Sequence, residues 1–380
     1  VYPFLPSIAR GLNISLQAAT GLVTLRVVGG LAAPVLGPMG DRYGRRPTME
    51  AGLAFFALGS LFLAGVGSLG AAAVAFALAG IAKILYDPSM RAYIGDTVPY
   101  EDRGRAVGIA ELSWSGAWLV GVPVVGYLMG SFGWRAPWIV LGVLGLLGLW
   151  LTHSYLPAAQ PSGKRAKDHD QTFGAALVAS WRSLLRRRPV AVLLSASLLL
   201  ALANEAPLIV YGAWLETEFG LGLGTLGLAS MVVGLSEVSA ELSAATLIDR
   251  IGKKRSVLLG LLGLAASLVL LPWLSTFGLV AALAAVVLMV LTFEFAFISL
   301  VVVATETAPD ARSTLISLNI TAQSVGRMVG ALVGGWLWQW HSISYHALLG
   351  ASAALLAAAL VAWGMPELGT QTRGQHLHAD

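Results

Sequence analysis

Nine ionisable side chains stand inside long apolar stretches of this 380-residue chain: Arg26, Lys83, Asp87, Glu111, Glu205, Glu237, Glu241, Glu294 and Arg327. Two chemistries are open to such a set. A carboxyl can take up a proton on one side of a barrier and release it on the other, and a buried cation can hold an anionic group. Lys83 and Asp87 are four residues apart, so on a helix they share a face and can pair. Glu237 and Glu241 are spaced the same way. Glu205 follows Asn204 and precedes Pro207, which loosens a helix by removing a donor. Glu294 stands among Phe293, Phe295 and Phe297, rings that suit a cationic or amphipathic ligand. Plainer readings stand beside these. Lys83–Asp87 is then a structural pair, Glu111 joins Arg91 and Arg103 at a surface, and Arg26 and Arg327 pair with acids on adjoining helices. Glu205 and Glu294 are the strongest candidates for carrying a proton.

These charges need an unusual setting. The chain is 57% hydrophobic and 12% charged, about half the charge of an ordinary soluble domain. A water-soluble enzyme of this length needs more polar surface, and the same composition excludes disorder and fibrous repeats. There is no Cys, so disulfides and thiolate chemistry are out. No nucleophile–base set, metal-ligand cluster or phosphate-binding loop is visible. The six His are scattered, with His376 and His378 near the end. The expectation is a helical multi-pass membrane protein that is not an enzyme and uses no cofactor or metal.

Eleven stretches are long enough to cross a bilayer: 15–38, 48–67, 71–95, 104–130, 134–156, 190–215, 221–247, 256–273, 277–304, 313–338 and 343–364. Ahead of them, residues 1–8 are apolar but too short to span. They read as the end of a first helix whose beginning is missing, or as a short interfacial segment. The connections on one side, with the span ends beside them and the tail, hold 19 of the 24 basic residues, while the other side holds Arg10 and Arg135. The basic side is expected to be cytoplasmic, C-terminus included. The net charge of +4 is thereby assigned to topology and the lipid bilayer, not to nucleic acid. The expected organisation is an N-terminal bundle over 1–156, a cytoplasmic linker over 157–189, a C-terminal bundle over 190–366 and a cytoplasmic tail over 367–380. In the linker, Phe173, Leu177, Trp181, Leu184 and Leu185 recur at helical spacing beside Arg182 and Arg186-Arg187-Arg188. That pattern is an amphipathic interfacial helix or, failing that, a basic linker.

One connection recurs. Asp41, Arg42, Gly44, Arg45 and Arg46 return 208 residues later as Asp249, Arg250, Gly252, Lys253 and Lys254. A second echo sets Asp96, Pro99 and Arg103 against Glu306, Pro309 and Arg312. Two echoes at nearly one offset argue for a duplicated six-helix unit. Gly44 and Gly252 suit a tight turn at positive φ. Asp41 and Asp249 can satisfy free amides at a helix start or pair with a cation. Arg45 can converge on Asp41 and Asp96, so that three charges lock two helices at this face and part when it opens. The alternative is that these charges only set topology.

These turns resemble the signature of the major facilitator superfamily between its second and third helices. Gly37, Asp41, Arg42, Gly44, Arg45 and Arg46 match it, with Met39 and Gly40 in place of Leu and Ala. The second copy matches at Leu247, Asp249, Arg250, Gly252, Lys253 and Lys254, with Ala245 in place of the first Gly. The resemblance covers the whole chain. It implies an all-α membrane protein of the major facilitator fold, with two pseudo-symmetric six-helix bundles (eleven full spans plus a stub of helix one) around a central cavity. It implies a conformational charge relay at Asp41, Arg45 and Asp96, echoed at Asp249, Arg250, Lys253 and Glu306. It sets helices one, four, seven and ten around the cavity. The candidate proton and substrate site is therefore Glu205, Glu294, Asp87, Lys83, Asn204 and Arg26. Of the helix-five motif that marks many drug/proton antiporters, Pro123 and Gly126 match; helix packing by small residues is the alternative reading.

The resemblance implies a monomeric secondary active transporter in a prokaryotic inner membrane, moving a small organic molecule by alternating access. Proton-coupled efflux is the leading mode, because the N-terminal half resembles bacterial efflux-type members. An importer of an organic anion, using Arg26, Lys83 and Arg327, is one alternative. A non-transporting receptor or scaffold is another, although a scaffold has no need of a latch in both halves.

Overall fold

The computed structural model describes residues 1–28, 31, 36, 39–99, 102, 105, 106, 109, 110, 113, 116–157, 181–308 and 311–365, with the side chains of Asp41, Ala245, Asp249, Arg312 and Ser313 left out. Gly37, Arg103, Glu111, residues 158–180 of the linker and the tail from 366 lie outside the described residues. So does most of the expected amphipathic helix; residues 181–185 are helical and bury Leu184.

A 3-10 turn (Tyr2–Phe4) leads into α1 (Leu5–Leu12), which Asn13 ends in the left-handed region. The first half continues with α2 (Leu16–Val28), α3 (Met39–Tyr43), α4 (Arg45–Val66), α5 (Leu69–Thr97), α6 (Val122–Phe132) and α7 (Ala136–Tyr155). A π-helical stretch, Ala117–Gly121, runs directly into α6. The second half holds α8 (Arg188–Phe219), α9 (Leu223–Ala229), α10 (Met231–Ile251), α11 (Lys253–Ser275), α12 (Leu279–Thr307), α13 (Arg312–Leu337) and α14 (Ile343–Gly364).

Local chemistry sets several ends. Ser68 caps α5 by accepting from the Ala71 amide at 3.2 Å, and Ser342 caps α14. Most of the long helices are predominantly apolar around their circumference, which suits lipid outside and packing inside. Among the described residues, eight helices are long and apolar enough to cross a membrane. Leu58, Leu144, Leu242 and Leu348 stand exposed, a surface that lipid tails satisfy and water does not. α13 is long enough but carries Asn319, Gln323 and Arg327 at every fourth position, a polar stripe along one face.

Within the first half, α4 packs on α5 and α7, and α2 on α5; within the second, α8 packs on α13 and α14, α11 on α12 and α14, and α10 on α12. The halves meet where α2 lies on α13, α6 on α9, the π-helical stretch on α10, and the 3-10 turn on α8. Small residues make the closest approaches. A Cβ on Gly126 of α6 would stand 2.7 Å from the Leu223 carbonyl oxygen of α9. Gly326, Gly330 and Gly334 form the face of α13 that rests on α8, where a Cβ at Gly330 would stand 2.8 Å from the Cβ of Glu205.

Candidate functional site

Glu205 lies near the middle of α8 and is 2% exposed. Its Oε1 accepts a hydrogen bond from the Tyr2 hydroxyl at 2.8 Å, from the other half of the chain. Pro207 leaves α8 unbroken; what it removes is the donor for the Ala203 carbonyl. Asn204 is buried, and its Oδ1 has no hydrogen-bond partner among the described residues. Two cations act on Glu205, Arg327 of α13 most strongly and Arg26 of α2 next. Among the described residues neither arginine reaches ion-pair distance of a carboxylate. This corrects the expectation that both pair with adjoining acids. Arg327 follows Gly326, so it projects about 100° away from the glycine face that meets α8.

Glu294, near the middle of α12, has Arg327 and Glu241 as the charges that act on it. Two members of the expected ring wall meet each other. Phe293 and Phe297 touch each other, centroids 6.0 Å apart, and pack on the core. Phe297, three residues on from Glu294, lies about 60° round the helix and Phe293 about 100° round on the same side, so both rings border the carboxyl's side of α12 while packing on the core. On α10, Glu237 is buried and Glu241 exposed.

Lys83 Nζ and Asp87 Oδ2 pair at 2.5 Å in the middle of α5, with side chains 48% and 35% exposed. Charges exposed at mid-depth call for water, because hydrocarbon does not solvate them. With Arg26, Phe56 and Tyr86 they line a cavity of about 250 Å³.

The two basic turns stand at one end of the bundles. Gly44 and Gly252 hold φ of 98° and 94°, a backbone that side chains with a Cβ rarely adopt. Arg45 Nε lies 3.2 Å from Asp96 Oδ2, and Lys253 pairs with Glu306. Each pair ties the start of one helix to the end of the next, α4 to α5 and α11 to α12. Arg46 donates to the Leu156 and His153 carbonyls at 2.8 and 2.7 Å and to Glu50 at 2.7 Å. Lys254 donates to the Met365 and Ala362 carbonyls at 2.6 and 3.0 Å. Both thus satisfy carbonyls at a helix C-terminus, where a cation also meets the dipole. The Arg42 guanidinium lies 5.6 Å from the Tyr43 ring centroid, and Arg250 is exposed in the last turn of α10. The side chains of Asp41 and Asp249, like Gly37, lie outside the described residues. Pro123 opens α6, and Gly126 packs on α9, so the helix-five residues sit at a contact between halves.

At the opposite end Arg10 Nη1 meets Glu216 Oε1 at 2.7 Å, again across the halves. Neither this pair nor Tyr2–Glu205 carries a signal in the sequence. The α13 stripe does, in its spacing of four.

Repeated groups of apolar helices, paired basic turns and charges held at mid-depth define a multi-pass membrane transporter built from two related halves. The model of the Major Facilitator Superfamily matches residues 1–309 and again 193–378, and the chain belongs to that family. It is a secondary transporter, not an enzyme. It is 28% identical over 339 residues to the uncharacterized MFS-type transporter YceJ of Bacillus subtilis (strain 168), covering 89% of this chain and 84% of the relative. It is 28% identical over 276 residues to the tetracycline resistance protein, class C, of Escherichia coli, covering 71% and 68%. Its fold matches a crystal structure of a D-xylose-proton symporter with a TM-score of 0.75 at 18% identity, over 96% of this chain and 93% of that one.

Proposed function

We propose that this transporter exports a small organic molecule across a bacterial cell membrane in exchange for protons. The basic-turn face is cytoplasmic. Bundles over 1–156 and 190–366, joined by 157–189 and followed by the tail, rock about the mid-depth charges. The observation that carries the reading is Glu205, a buried carboxyl at mid-depth that bonds to the opposite half with two arginines acting on it. Such a group can hold a proton in one state and lose it in another. Glu294 is the second carrier and Asp87 the next candidate. The pairs Arg45–Asp96 and Lys253–Glu306 serve as the relay that steadies one conformation. Relatives named as tetracycline and multidrug resistance proteins support the export direction.

The test uses the purified full-length protein. A thermal-shift screen of organic cations, anions and sugars selects a transported compound. In proteoliposomes Glu205→Gln or Glu294→Gln then abolishes proton-driven transport and leaves exchange partly intact, since Gln keeps the shape but does not titrate. Uphill transport at parental rates by both variants would move the proton site elsewhere.

A second reading, import of an organic anion together with protons, is favoured by the cavity that sets Arg26 and Lys83 beside Phe56 and Tyr86. Stabilisation by aromatic carboxylates alone in the same screen would select it.

A further inference from the structure

Three contacts join the first ten residues to one face of α8. Tyr2 bonds to Glu205, the Pro3 carbonyl lies where any Cβ on Gly212 would collide, and Arg10 pairs with Glu216. Positions seven and eleven residues on from Glu205 return to its helix face within about 20°. The contacts therefore form one seam, rising roughly 16 Å from mid-depth to the Arg10 face. Phe4 and Leu5, each 1% exposed, fill the space beside it. Because the seam joins the two halves, the Arg10 face does not open until it parts.

We propose that Tyr2 is a positioning residue that ties the proton on Glu205 to the opening of the Arg10 face. The proposal rests on Glu205 being a proton carrier. The Tyr2 hydroxyl donates to Oε1 whether or not the carboxyl is protonated. Toward a carboxylate that bond is charge-assisted and about twice as strong as toward a neutral acceptor. Ionised Glu205 therefore grips the tyrosine and holds the seam shut. A proton arriving at the carboxyl makes the acceptor neutral and loosens the innermost contact.

The surrounding charges permit this. Arg327 and Arg26 act on both Glu205 and Tyr2, yet neither occupies the oxygen that Tyr2 holds. Of the other helices packed on α8, α12 brings Glu294, which couples to Arg327. α14 brings His346, whose ring is engaged with the Gly334 and Ser342 carbonyls.

The chain has no cysteine, so an introduced one reports alone. Ala213, 4% exposed, lines a cavity together with Arg10 and Glu216. In Ala213→Cys protein reconstituted into proteoliposomes, a membrane-impermeant methanethiosulfonate applied from the Arg10 side reacts as that face opens. At one fixed pH, Tyr2→Phe and Glu205→Gln each speed labelling about 5-fold, the lower end of typical coupling between sites. The two together are no faster than either alone. Glu216→Gln, which breaks only the rim, multiplies with Tyr2→Phe. An unchanged rate in Tyr2→Phe, or Tyr2→Phe and Glu205→Gln effects that multiply, overturns the link. If Tyr2→Phe does not fold, Glu205→Asp keeps the charge but withdraws it from the hydroxyl: faster labelling supports the link and an unchanged rate overturns it. Proton-driven transport surviving in both Glu205→Gln and Glu294→Gln overturns the proton assignment and this proposal with it. A silent Tyr2→Phe alongside a transport-dead Glu205→Gln overturns the tyrosine link alone.

Discussion

α5 and α12 occupy equivalent places in the two halves, and each runs from Leu to Thr over 29 residues, 210 positions apart. Their ends agree. Asp96 and Glu306 receive Arg45 and Lys253 from the turns before α4 and α11. Their middles do not. At the shift that superposes the ends, Lys83 and Asp87 fall on Phe293 and Phe297. One helix spends this pair of positions on charges exposed to a cavity, the other on two rings packed into a core. Glu294, the carboxyl of the second half, falls on Ile84. Both halves keep the means of holding a turn, which any rocking bundle needs. They differ at mid-depth, where the proposed proton and substrate site lies.

The largest test of this contrast is at the middles. Phe293→Ala removes a buried ring and should lower stability by about 3 kcal/mol. The double variant Lys83→Ala/Asp87→Ala removes a water-facing pair and should change it by less than about 1 kcal/mol. Thermal unfolding of the purified protein in detergent reads both, and equal losses would end the distinction. The turns should behave alike: Gly44→Ala and Gly252→Ala each force a Cβ into positive φ and should cost about 1–3 kcal/mol. Nothing lies within 4 Å of a Cβ at Gly252, so its loss isolates the backbone effect. Unequal melting shifts would show that the two turns are held differently. The smallest difference concerns the second basic residue. Arg46 has Glu50 as well as carbonyls, whereas Leu258 stands in the place of Glu50 in the second half. Arg46→Ala should therefore cost about 2 kcal/mol and Lys254→Ala about 1 kcal/mol, and Glu50→Leu should bring the first value down toward the second.

Much of this was legible in the residues. Helical class and family followed from composition and the repeated turn, because local chemistry (a glycine, an acid, two bases) determines a turn wherever it occurs. The approach of Asp96 to Arg45 followed from a second echo at almost the same offset. The site was legible only as a set of improbable charges. Periodicity says which residues share a face of one helix but not which helix that face meets, so Tyr2 finding Glu205, 203 residues away, had no trace. The rings beside Glu294 were legible from their spacing, but that Phe293 and Phe297 also pack on the core was not. Arg26 and Arg327 were expected to pair because burial of a lone charge is unfavourable, but packing directed them beside the carboxyl and not onto it.

Gly330 has no charge and no donor beyond its backbone, yet the carboxyl-bearing residue of α8 rests against it. Any heavier residue there would have to displace Glu205 itself. The inheritance of this site therefore passes through a position that no inspection of chemistry would select. On the proposed reading of Glu205, a lineage that drifts toward a different coupling ion has two routes, replacing the acid or letting the glycine behind it grow. The second leaves every ionisable group in place and would look, in the sequence alone, like an unremarked change in a membrane helix.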